Sequence, residues 1–148
     1  MCEYVTKTKN MKRTAKAHWS GNLKEGNGTL TTESGILNEI NYSFKTRFEE
    51  GENGTNPEEL LAAAHAGCFT MQVSAILTKK GFNPTSLDSE ATVTMEDLTI
   101  TGIHLSITGS ASGANAREFE AAVKDAEKKC VISKALGVPI SSEAHFVV

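Results

Sequence analysis

Residues 60–78 form a run of nineteen side chains without a formal charge. A run that long either crosses a bilayer or becomes a helix that the rest of the protein covers. It holds Gly67, His65, Gln72 and Ser74, and polar groups near the middle of a span make insertion costly. The expectation is a buried helix at the centre of a soluble protein. Both ends carry helix signals. Asn56 suits the N-cap, Pro57 the first helical position, and Glu59 a capping-box-like arrangement three residues after Asn56, which leaves Glu58 free of this role. Lys79-Lys80-Gly81 supplies a cationic last turn and a glycine stop. Phe69, Val73 and Ile76 fall opposite Leu60, Ala64 and Met71, so the helix is expected to be buried on several sides.

The chain has 148 residues, about one domain. The polar residues 1–10 read as a loose N-terminal extension without the apolar stretch of a signal peptide, and residues 11–148 as a single domain. Before the helix, residues 15–19, 28–32 and 41–48 are strand-like and separated by Gly/Asn/Ser turns. After it, Ala91, Val93 and Met95 alternate with polar residues. Leu98 and Ile100 then share one phase while Ile103, Leu105 and Ile107 share the other, which places a bulge at Gly102. A second helix is expected over 116–129, with Asn115 as N-cap, Glu118 three residues on, and Phe119, Ala122, Val123, Ala126 and Cys130 on one stripe. Ala144, Phe146 and Val148 alternate in a closing strand. The order β-β-β-α-β-β-α-β is α+β, with helices on mainly antiparallel sheet.

A net charge of −3 is too acidic for a protein that tracks nucleic-acid phosphates. Three cysteines with no C-x-x-C pair argue against a disulfide framework or a zinc ribbon and favour a reducing, cytoplasmic setting. His18, His104 and His145 have no ligand spacing, so no metal site is assigned.

Cys68 lies in the middle of the apolar helix. Taken alone, such a cysteine is most often a buried structural thiol. A reactive one needs a thiolate, which apolar burial opposes and mid-helix backbone, having no free N–H, does not help. A cation must then be imported. Of Arg13, Arg47 and Arg117, Arg47 is best placed, at the end of the strand before the helix. Cys130 ends the stripe of the second helix, where it meets Cys68 if the two helices pack. Two unrelated core cysteines fit equally well. Glu58 and Arg47 flank the turn at 51–57 and can pair, either as a surface ion pair of little worth or to orient the guanidinium beside a thiolate. In a straight helix Glu58 stands about 15 Å from Cys68 of its own chain, so a partner subunit would have to supply it. His65 shares a face with Cys68, as a cysteine hydrolase would want, yet no orienting third group accompanies it. Cys2 sits in the extension. Phe69, Met71 and the alanines are expected to line an apolar approach to Cys68.

Thr46-Arg47-Phe48, Gly54-Thr55-Asn56-Pro57-Glu58-Glu59-Leu60 and Ala63-Ala64-His65-Ala66-Gly67-Cys68-Phe69 together resemble the osmotically inducible protein C / organic hydroperoxide resistance (OsmC/Ohr) family. Cys130-Val131-Ile132-Ser133 resembles its second cysteine segment, although the residue after that cysteine is often proline in the family. Ala17-His18-Trp19-Ser20-Gly21 and Thr32-Glu33-Ser34-Gly35 point to the OsmC branch. The resemblance implies an OsmC-like fold with a buried central helix, assembled as an intertwined homodimer with sites at the interface. It implies a peroxidase that reduces organic hydroperoxides to alcohols without haem, flavin or metal. Cys68 would be the peroxidatic thiol, Cys130 the resolving thiol that closes a Cys68–Cys130 disulfide, and Arg47 with Glu58 the activating pair. The reductant would be a dithiol, possibly one carried by a lipoylated protein, and neither nucleic acid nor membrane is a partner. The competing reading is a noncatalytic binder of apolar ligands on the same fold, which has no mechanistic need for all four residues.

Overall fold

This computed structural model describes residues 10–148; residues 1–9, with Cys2 and nearly all of the expected extension, lie outside the described residues. The chain separates into two compact units, one ending at Leu60 and the other spanning Leu61–Val148.

The first unit carries an antiparallel sheet of β1 (Ala15–Ser20), β2 (Asn27–Thr32) and β3 (Ile40–Tyr42), in that order. Trp19 and Tyr42 pack with ring centroids 5.5 Å apart. A Cβ on Gly28 would run into both rings, so glycine is what lets these aromatics close over β2. The third strand is shorter than its sequence suggests. It stops at Tyr42, and Phe44–Phe48 form a short helix, α1. Ser43 starts it with extended backbone, accepting a hydrogen bond from the Thr46 N–H while Thr46 Oγ1 accepts from the Ser43 N–H. This reciprocal cap satisfies free donors of the first turn and corrects the expectation for Arg47, which lies in a helical turn and not at a strand end.

Helix α2 (Pro57–Lys79) runs unbroken from the first unit into the second. Asn56 caps it, its Oδ1 accepting from the Glu59 N–H at 2.8 Å. The Glu59 carboxylate accepts from Thr55 Oγ1 at 2.6 Å. At the other end Gly81 adopts φ 89°, and the N–H groups of Gly81 and Phe82 donate to the carbonyls of Thr78 and Leu77. This is the glycine stop expected from the sequence.

In the second unit β4 (Asn83–Glu96) and β5 (Thr99–Ser112) form a long hairpin. Its two-residue turn places Asp97 and Leu98 at φ 49° and 60°, the left-handed pair that matches strand twist. The register slips where Thr94 faces Gly102 and Met95 faces Ile100, a bulge beside Gly102 as the phase switch predicts. Helix α3 (Ala116–Lys129) has its Asn115–Glu118 capping box. A short helix α4 (Val131–Ala135) follows, and β6 (Ile140–Phe146) joins β5 in parallel, so the sheet order is β4-β5-β6. The extra helices α1 and α4 correct the expected element order, while the sheets are mainly antiparallel as expected, β5–β6 being the one parallel pair among the described strands. The closing strand ends at Phe146, leaving Val148 exposed.

Phe69, Val73 and Leu77 of α2, Leu105 and Ile107 of β5, and Phe119, Ala122, Val123 and Ala126 of α3 are fully buried together. Each large apolar side chain in such a core contributes ~1.5–3 kcal/mol relative to exposure. Helix α2 is long and apolar enough to cross a membrane by composition, but it is a core helix, with Phe69, Val73 and Leu77 fully buried. It is nevertheless not buried on several sides. His65, Phe69, Val73, Ile76 and Leu77 face the core, while Ala63, Ala64, Gly67 and Met71 are exposed, Met71 by 76%. One chain covers one face only.

Candidate active site

In the second unit Cys68 and Cys130 are brought together. Cys68 is partly buried on α2, and Cys130 is fully buried between α3 and α4. Both are free thiols, close enough for Cys130 to perturb the titration of Cys68. Cys130 is where the helical ladder breaks. Its N–H still donates to Ala126, but its ψ of 132° turns the chain out of α3, and α4 begins at the next residue. The break forms with Val131 in the position after the cysteine, so proline is not required for it.

Burial pushes the Cys68 thiol above its ordinary pKa, and the Cys130 thiol adds to the shift. Backbone N–H groups of Ile132 and Val131 donate to the sulfur and oppose the rise without reversing it. These two amides are functional groups that sequence reasoning missed. The backbone of α2 indeed offers Cys68 nothing, but the first turn of α4 has unpaired donors. The cue for them is the helix break at Cys130. None of these neighbours carries positive charge, so a working thiolate still needs a cation.

In the first unit Arg47 and Glu58 form a two-pronged ion pair. Arg47 Nε donates to Glu58 Oε1 at 3.0 Å and to Oε2 at 3.2 Å, and Nη2 donates to Oε1 at 2.6 Å. The connecting turn is tied down on both sides. Asn56 Nδ2 donates to the Thr46 carbonyl at 3.1 Å, and the Thr55 N–H to the Asn41 carbonyl at 3.0 Å. Gly54, at φ 145°, packs so closely on Asn41 that a side chain there would collide with its carbonyl. The turn thus returns the chain so that α1 and the start of α2 present Arg47 and Glu58 to each other. Burial raises the Glu58 pKa, but the hydrogen bond from Arg47, the residue's own backbone N–H and the guanidinium charge outweigh it and hold the carboxyl below its usual range. Glu58 is therefore ionised at neutral pH, and its place in the first turn of α2 favours that charge further.

The guanidinium carbon of Arg47 lies 5.2 Å from the Phe48 ring centroid. The same residues border an apolar cavity of about 270 Å³, lined by Trp19, Leu23, Tyr42, Phe44, Phe48 and Arg47. The expected apolar approach along α2 is corrected at one residue. Phe69 is fully buried in the core, so it cannot line an entry path, whereas Met71 is 76% exposed.

His65 is fully buried, and its Nε2 lies 2.7 Å from Ser133 Oγ. Its Nε2 is taken by Ser133 and no third group orients its Nδ1, so His65 is not arranged as the base of a Cys-His hydrolase.

A family model described as OsmC-like protein matches residues 49–143. Peroxiredoxin OsmC of Escherichia coli (strain K12) is 45% identical over 130 residues, 85% of this chain and 90% of that protein. The crystal structure of an OsmC-like protein from Mycoplasma pneumoniae is similar in fold, with a TM-score of 0.73 at 16% identity, covering 94% of this chain and 99% of that one. An organic hydroperoxide resistance protein OsmC from Legionella pneumophila gives 0.65 at 23% identity, over 93% and 98%. A matched family model over most of the chain and a relative of this identity agree with the motifs around both cysteines: the chain belongs to the OsmC-like protein family.

Proposed function

We propose that this protein is a thiol peroxidase that reduces organic hydroperoxides to alcohols through Cys68. The observation that carries the reading is the contact between two free thiols, one partly accessible on α2 and one sealed at the α3–α4 break. The Cys68 thiolate attacks the terminal peroxide oxygen. The O–O bond breaks, the alkoxide leaves and takes a proton to become the alcohol, and Cys68 becomes a sulfenic acid. Cys130 then attacks that sulfur, an S–S bond replaces the S–O bond, and water departs. An external dithiol restores both thiols by exchange, and a lipoyl dithiol is the reductant proposed. The relative named peroxiredoxin OsmC supports the assignment, and a reducing cytoplasm suits resting thiols of this kind.

The working form proposed is an intertwined homodimer. The exposed α2 face of Ala63, Ala64, Gly67 and Met71 is apolar and small enough for close helix packing, and a second copy is the occupant that fits it. In that dimer Arg47, held by Glu58, stands beside the partner's Cys68 and stabilises its thiolate.

Incubating the pure protein with cumene hydroperoxide and a dithiol tests the function. Peroxide should disappear in proportion to dithiol oxidised, and without the dithiol an intramolecular Cys68–Cys130 disulfide should accumulate by mass spectrometry. In Cys130→Ser the sulfenic acid should persist or advance to sulfinic acid. An oxidised product joined through Cys2 would refute the pairing. The aromatic cavity beside Arg47 would equally serve a noncatalytic apolar-ligand protein, which would bind the hydroperoxide without consuming it.

Substrate preference follows from the same cavity. Each CH₂ buried from water is worth about 0.8 kcal/mol, so bulky apolar hydroperoxides should show a kcat/KM at least about tenfold above that for hydrogen peroxide. Phe44→Ala should narrow the gap. Equal or better efficiency with hydrogen peroxide would contradict this use of the cavity.

A further inference from the structure

His65 is fully buried, with Nε2 bonded to Ser133 and Nδ1 without a hydrogen-bond partner. Burial lowers its pKa, so the ring is neutral. An orphaned ring nitrogen in a core is a cost that an aromatic hydrocarbon of the same shape would not carry, so packing alone does not account for histidine here. Its place in the fold does. His65 precedes Cys68 by three residues on α2, and Ser133 follows Cys130 by three residues on α4. Residues three apart on a helix are neighbours on one face. The His65–Ser133 hydrogen bond and the Cys68–Cys130 contact therefore join the same two elements side by side.

Helix α4 needs such a second tie. It is five residues long, and the turn at Cys130 frees it from the ladder of α3. Ser133 is its one buried residue, while Val131 is 64% exposed. Cys130 itself is anchored in the core, but beyond it, without the His65 bond, α4 would be held chiefly by the partly buried packing of Ile132 and Leu136.

We propose that the His65–Ser133 hydrogen bond is a clamp that holds Cys130 against Cys68 while the disulfide closes; this rests on the peroxidase reading. In that step the Cys130 sulfur bonds to the Cys68 sulfur, the S–O bond of the sulfenic acid breaks, and the thiol proton leaves with the hydroxyl as water. Closure competes with a second peroxide, which would carry Cys68 to sulfinic acid. The clamp touches neither peroxide nor the reacting sulfurs, so His65 and Ser133 are positioning residues for resolution and not for the first attack.

A single-turnover experiment with cumene hydroperoxide, quenched and read by thiol mass spectrometry, separates the steps. Wild-type protein is compared with His65→Phe, Ser133→Ala and Ser133→Thr. His65→Phe removes the orphan nitrogen together with the bond but adds some ring volume to a filled site, whereas Ser133→Ala removes the bond without adding any. In both, closure should slow about tenfold, the sulfinic fraction rising accordingly, while the first oxidation of Cys68 changes by less than about threefold. Ser133→Thr retains a hydroxyl and should restore closure. A merely structural role would lower the melting temperature and leave the ratio of closure to overoxidation unchanged. That unchanged ratio in folded His65→Phe, or in Ser133→Ala should His65→Phe not fold, would overturn the clamp alone. If wild-type protein forms no Cys68–Cys130 disulfide, the peroxidase reading fails and takes the clamp with it.

Discussion

Cys68→Ser is expected to abolish turnover of organic hydroperoxides, a fall of about 10³-fold or more, as is typical when a nucleophile is removed. The substitution changes little else. Serine fills nearly the same volume at a partly buried position on α2, and α2 keeps its buried face of Phe69, Val73 and Leu77. The hydroxyl is no substitute because it stays protonated at neutral pH and the peroxide O–O bond is attacked by a thiolate. The chain alone does not supply that thiolate cheaply, since burial and the Cys130 thiol both hold the Cys68 proton on. Residual hydroperoxide measured colorimetrically, with a dithiol as reductant, checks the outcome. Cys2→Ser in parallel should run at the wild-type rate. Retained turnover in Cys68→Ser would move the nucleophile elsewhere.

What could be read from the chain without coordinates follows a physical division. Features written in local chemistry were legible: the Asn115–Glu118 box and the Phe119–Ala126 stripe of α3, the Gly81 stop of α2, and the bulge beside Gly102. The α1 segment was not, because Tyr42, Phe44, Thr46 and Phe48 alternate as in a strand, and period-two patterning outweighed a capping box only three residues wide. The direction of β6 was also hidden. Alternation is the same in parallel and antiparallel strands, and the only cue was the long connection through α3 and α4, which suits a crossover. At the candidate site, the Arg47–Glu58 pairing was legible from the turn that separates the two residues. The α4 amides that donate to Cys68 and the Ser133 partner of His65 were not, since they depend on where a five-residue helix restarts after Cys130. The exposed face of α2 was read as buried because the sequence shows that a surface is apolar, not whether its own chain covers it.

Arg47→Ala should cut the rate of Cys68 oxidation by about 10²–10³-fold, the usual scale for losing a preorganised electrostatic partner, and should raise the thiol pKa. Arg47→Lys should recover only part of this, since a point charge lacks the planar fork that Glu58 grips at Nε and Nη2. The pair also sets an acid limit. Glu58 is held below the ordinary carboxylate range, so the orientation it gives Arg47 is complete above that range. It is lost as pH falls through the lowered pKa. Which chain's Cys68 this pair serves is testable by mixing. Ten residues of unbroken α2 separate Glu58 from Cys68, about 15 Å of rise, which favours sharing between subunits. Cys68→Ser and Arg47→Ala proteins are each expected to show little activity alone. If the pair acts across the interface, a heterodimer has one site with neither defect and one with both. Equal mixing should then restore about a quarter of wild-type activity as subunits exchange, because half the dimers are mixed and each has one working site of two. If Arg47 serves Cys68 of its own chain, every site in the heterodimer carries one defect. A mixture shown by native mass spectrometry to contain heterodimers, yet still inactive, would place the whole catalytic set within one chain.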